Sequence, residues 1–197
     1  LQGRVSSLLG IGSGFHHDLT GRENTYLYGA MLGFSRKRIK EIFDEFPEFE
    51  GRAAGGVIAK AVNSFDEGSY LTKGMNQEAG QKRIVIKLLS DRFQAIPYLK
   101  KLVRHELMHA SDMLTELYGY RDERLGGNPM EESIVKERYS VFWDIFVDGR
   151  LIRKGRETIS DKESRYREFE SLYKKIPEEV KIAVFDFLWQ EESLTHD

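Results

Sequence analysis

The 197-residue sequence contains no cysteine. Disulfides and thiolate metal ligands are thereby excluded, and any transition ion has to be held by nitrogen and oxygen. No apolar run approaches the roughly 20 residues that a membrane helix requires. The opening stretch, LQGRVSSLLGIGSG, has none of the ordered charged, apolar and cleavable parts of a secretory signal. A cytoplasmic location without a membrane partner is the resulting expectation. Thirty basic residues against thirty-two acidic ones leave a formal charge of -2, so no overall field draws in nucleic acid. The cluster Arg36, Lys37, Arg38 and Lys40 reads as the solvated face of a helix.

With 40% apolar and 31% charged residues, the chain has the make-up of a globular protein, and its length suits one substantial core. The expected organisation is one domain over residues 1–197. It comprises an N-terminal helical part (1–80), a strand with the site-bearing helices (81–150) and closing helices (151–197). The first fifteen residues, rich in Gly and Ser, read as an arm. Ser35 is placed to cap a helix over 36–46 that stops before Pro47. Apolar and small residues at Ala53, Ala54, Val57, Ile58, Ala61 and Val62 predict a second helix over 51–65, followed by a polar loop at 68–80.

Ile84, Val85 and Ile86 within KRIVIKLL predict a strand. After Pro97, apolar residues at helical spacing predict a long amphipathic helix ending near Gly119. A loop through RDERLGGNP leads to a helix over 130–147, stopped by Gly149. Two further helices, 163–175 and 178–189, are separated by Pro177. The fold class expected is α+β, mostly helical, with a small sheet beside the long helix.

Within that long helix lies RHELMHASD, Arg104 to Asp112. Helical residues at i and i+4 share a face, so His105 and His109 can direct both imidazoles at one ion, while Glu106 projects to its side. A random chain of this length and composition contains His-Glu-x-x-His roughly 0.01 times. Zinc is the expected cofactor, since neutral imidazole suits it, and it lowers the pKa of a bound water to about 7. Glu106 is the candidate catalytic base. The structural alternative is that both histidines sit on a partly exposed face and bond locally.

A third ligand is needed, and a carboxylate is the economical choice. A symmetric antiparallel return from the long helix places position 139 opposite His109, which favours Glu137, on a stripe with Ile134, Val141 and Asp144. Asp144 is the rival ligand, sharing a face with Asp148, or else the acceptor of His105's second N–H. Asp112 reads as solvent-facing or as a partner on the helix surface. Tyr118, Tyr120, Tyr139 and Arg150 are candidates for stabilising an oxyanion.

HELMH resembles the active helix of the zincin metallopeptidases, and a glutamate on the following helix resembles their gluzincin branch. The resemblance implies a zinc-dependent hydrolase cleaving peptide bonds, with peptide or protein as substrate. It also implies zinc on His105, His109 and Glu137, and a substrate-aligning edge strand at 83–88. Departures are Arg104 before the first histidine, Thr115 at the third-ligand position of the metzincins, and Val141 four residues after Glu137. The likeness covers about a third of the chain. The alternative is a non-catalytic, metal-bound or degenerate zincin acting in interaction or regulation. A di-iron carboxylate bundle would need a second E-x-x-H, and none occurs.

Overall fold

The computed structural model describes residues 41–73, 81–121, 123 and 126–196. The expected arm and the first five residues of the helix over 36–46 lie outside them. The described residues form a mostly helical arrangement around a small mixed sheet. Strands β1 (Ala53–Lys60), β2 (Gly68–Lys73) and β3 (Lys82–Leu88) precede helices α1 (Ile96–Leu114), α2 (Pro129–Arg153), α3 (Lys162–Leu172) and α4 (Glu178–Gln190).

The sheet order is β1-β3-β2, with β3 parallel to β1 and antiparallel to β2. β3 is thus the central strand, as its run of β-branched residues suits. The sheet edge beside the long helix is β2, not the 83–88 segment expected to serve as one. Two further expectations are corrected. Residues 53–60 are strand where a helix was expected, and 68–73 are strand where a loop was. The small residues of β1 answer to close packing instead of a helical stripe: a Cβ on Gly56 would overlap the Phe43 ring, and Gly55 has a φ of 125°.

One face of β3 buries Ile84, Ile86 and Leu88 against Leu99, Val103 and Leu107 of α1. Each such side chain contributes about 1.5–3 kcal/mol when fully buried. This packing fixes α1 across the sheet and presents the helix face that carries the histidines to the space between β2 and α2. Pro97 sits in the first turn of α1, and Asn128 caps α2 by accepting from the Met130 and Glu131 amides. A second core joins Val141 and Ile145 of α2 to Phe169 of α3 and to Phe185, Leu188 and Trp189 of α4. Because Val147 and Leu151 belong to the first core, α2 connects the two.

Helix α1 ends at Leu114, earlier than expected, and α2 runs past Gly149 to Arg153. Gly149 is therefore not a stop. It lies where the α4 backbone comes closest, and a Cβ there would overlap the Trp189 carbonyl. No helix of the described residues is long and apolar enough to cross a membrane. Replacing Gly149 by Ala should destabilise the protein by about 1–3 kcal/mol through overpacking. Urea titration checks this, and an unchanged midpoint would show that α4 does not press on this position.

Candidate metal centre

His105 and His109 lie on the buried face of α1, where the hydrophobic residues on either side hold their turn against the sheet and α2. Their Nε2 atoms are 3.1 Å apart. Asp144 Oδ1, reaching across from α2, lies 3.2 Å from His105 Nε2 and 3.0 Å from His109 Nε2. These residues form a candidate metal-binding triad, with ligand atoms within 4.8 Å of one another.

The opposite nitrogen of His105 is anchored. Its Nδ1 is 2.7 Å from Asp148 Oδ1, and Asp148 is fully buried. A carboxylate can only accept, so Nδ1 carries the proton and Nε2 is left to face the triad. Asp148 is itself held by the Thr158 hydroxyl and by Arg165, whose Nε donates to Oδ2 at 2.8 Å. On the far side of His109, Trp143 stands edge-on with ring centroids 4.5 Å apart. The indole N–H donates to Asp112 Oδ2 at 2.8 Å, and Arg150 donates to the same oxygen at 2.5 Å.

Glu106 borders the same cleft, a cavity of about 510 Å³ also lined by Ser69, Tyr98, Met113, Trp143 and Glu168. The Ser69 hydroxyl of β2 lies 2.7 Å from both Glu106 Oε2 and the Glu106 carbonyl oxygen, which share its single proton. One carboxylate oxygen thus faces the sheet edge.

Glu137 is not brought to the cluster. It sits on the exposed face of α2, and Asp144 supplies the carboxylate that meets both imidazoles. The pairings Tyr118 with Tyr139, His109 with Asp144 and His105 with Asp148 set the helix register. They place α2 more than one turn further along than a symmetric return predicts, because α1 stops early, at Leu114. Asp112 is buried rather than solvent-facing. Arg150 and Tyr118 are spent on Asp112 and Tyr139, and neither they nor Tyr120 and Tyr139 line the cleft. Arg104 is buried against Glu45, with its Nε donating at 2.6 Å. Sequence reasoning missed Ser69, Thr158 and Arg165. The Asp144, Asp148 spacing of one turn was the available signal for the second carboxylate.

Burial by itself would depress the His105 pKa, but Asp148 and Asp144 outweigh it and push it up to about 10. Burial would raise Asp144 and Asp148, and the imidazoles beside Asp144 and the His105 and Arg165 cations beside Asp148 overcome this, holding both well below the usual carboxylate range. Without a metal, an imidazolium at His105 bridges two carboxylates. A metal ion would take the place of that proton.

Comparison with known proteins gives partial matches. No family model matches the chain, and no solved structure does. The chain is 37% identical over 71 residues to the O-antigen export system ATP-binding protein RfbB of Myxococcus xanthus, covering 36% of this chain and 16% of that protein. It is 36% identical over 75 residues to the protein of the same name from Klebsiella pneumoniae, 38% of this chain and 30% of that one. The ABC transporter protein AbcA of Aeromonas salmonicida is 38% identical over 66 residues, 34% and 21% of the respective chains. The matches thus span less than a third of these relatives' length. These findings correct the zincin reading. The curated relatives are ATP-binding and transport proteins, not peptidases, so the expectations of a zincin family member, a zinc metallopeptidase or hydrolase and a peptide or protein substrate are not upheld.

The raised His105 pKa carries a stability prediction for the metal-free protein. Its contribution is complete below the unfolded value near 6.5 and is lost as pH rises through about 10. The depressed carboxylates act in the opposite direction, their contribution being lost as pH falls through the acidic range. In chelator-treated protein the melting temperature should therefore fall between pH 6.5 and 10, and the slope should flatten in H105N. A wild-type melting temperature that is level or rising across this window would refute the bridging imidazolium.

Proposed function

We propose that the chain binds a zinc ion between His105, His109 and Asp144, and that metal-ion binding in an open cleft is its function. The observation that carries this is the meeting of three donor atoms at separations of 3.0–3.2 Å. The edge of a tetrahedron with bonds of 2.0–2.1 Å is about 3.3 Å, close to that triangle. Two imidazole nitrogens and one carboxylate oxygen are a donor set that zinc accepts, and the cleft leaves a further position accessible. The anchored Nδ1 of His105 supports the same reading, because it aims the other nitrogen at the ion.

Zinc, when bound, acidifies a coordinated water toward about pH 7. Glu106 borders that position in the cleft.

The relatives favour a second reading, in which the chain contributes to an export system that uses an ATP-binding component. The supporting observation is 36–38% identity over 66–75 residues. The 197 residues contain no Gly-Lys pair, hence no G-x-x-x-x-G-K-[ST] phosphate loop. Nucleotide contact by this stretch has to come from other groups.

Elemental analysis after zinc reconstitution and desalting tests the first reading. Wild type should retain one zinc per chain, H109A and D144A should lose it, and E106Q and E137A should retain it. Metal-free wild type, or full retention in D144A, would overturn the assignment. Calorimetric titration of MgATP into D144A tests the second: saturable heat supports it, and none up to millimolar nucleotide removes it.

A further inference from the structure

We propose that Arg165 is a positioning residue that sets the coordination number of the metal site, and with it the preference for zinc. The inference rests on the reading that the triad holds a metal. Arg165 is the buried cation of α3, only 4% exposed. Its Nη1 lies 3.2 Å from Asp144 Oδ2, and its Nε and Nη2 lie 2.8 and 2.7 Å from Asp148 Oδ2. Nη1 also meets Glu168 Oε2 at 2.6 Å.

The two oxygens of Asp144 therefore have different partners. Oδ1 faces the imidazoles, while Oδ2 faces the guanidinium. A carboxylate chelates through both oxygens only when both swing toward the ion, and here a charge-assisted hydrogen bond opposes that swing. Through Asp148 the same guanidinium also steadies His105. One cation thus orients two of the three ligands. It leaves the site with two nitrogens, one oxygen and one accessible position, the four-coordinate arrangement zinc favours. Freeing Oδ2 adds a fifth donor and moves the site toward ions that prefer more oxygen ligands, such as Mn²⁺.

A bystander that only neutralised buried acids would affect stability and leave the ion's geometry alone. Cobalt(II) separates the two roles, because four-coordinate cobalt absorbs visible light several-fold more strongly than five-coordinate cobalt. The full chain is loaded with Co²⁺ as wild type, R165Q and R165K, and Zn²⁺ and Mn²⁺ affinities are measured by competition. Wild type should give intense visible bands. R165Q should keep the ion, show bands weakened several-fold, and shift the Zn²⁺ to Mn²⁺ affinity ratio at least tenfold toward Mn²⁺. R165K, which keeps the charge without the fork, should fall between them and carries the test if R165Q does not fold. Variants with the wild-type spectrum and an unchanged ratio overturn the proposal, even if they melt earlier. If wild type itself takes up no cobalt, the metal reading fails, and this inference fails with it.

Discussion

The organisation of the helices depends on a hydrogen bond between His105 Nδ1 and Asp148 Oδ1, made where neither side chain has access to water. A buried carboxylate is costly unless paired. Asp148 is paired three times, by the imidazole, the Thr158 hydroxyl and the Arg165 guanidinium. These partners come from α1, from the turn after α2 and from α3. Satisfying one charge thus brings three parts of the chain together, and the triad forms on the rim of that arrangement.

Apolar packing supplies the rigidity this polar cluster needs. Helix α1 is seated on the sheet by Ile84, Ile86 and Leu88, and α2 is gripped by both cores, so the spacing between the two helices is set by side chains that have no part in the site. The ion-pair network contributes to uniqueness more than to stability, since desolvation offsets much of its Coulomb energy. Its geometry is nonetheless demanding. A displacement of α2 by one residue would turn Asp144 away from both imidazoles.

What could be read beforehand follows the range of the interaction. The convergence of His105 and His109 was legible because it depends only on the pitch of one helix. The strand at 82–88 was legible from consecutive β-branched residues, and the two closing helices from their periodicity and Pro177. The choice between Glu137 and Asp144 depends on the register of α2 against α1, which no local pattern encodes. The stretch 53–60 misled because small apolar residues suit both a close-packed helix and a strand pressed by an aromatic ring. Only the contact between Gly56 and Phe43 distinguishes them. Arg165 lay beyond reach because its partners are 17 and 21 residues away in sequence. The functional resemblance suggested by five residues did not extend to the relatives, which match over 36–38% of the chain.

The edge-on contact of Trp143 with His109 places a fluorophore against the triad. The chain has two tryptophans, and the other, Trp189, is enclosed with Phe185 in the second core. An indole next to an imidazole is quenched to an extent set by the charge on that ring. Emission from Trp143 therefore responds to a change at the His109 ring, and Trp189 provides an internal standard within the same molecule.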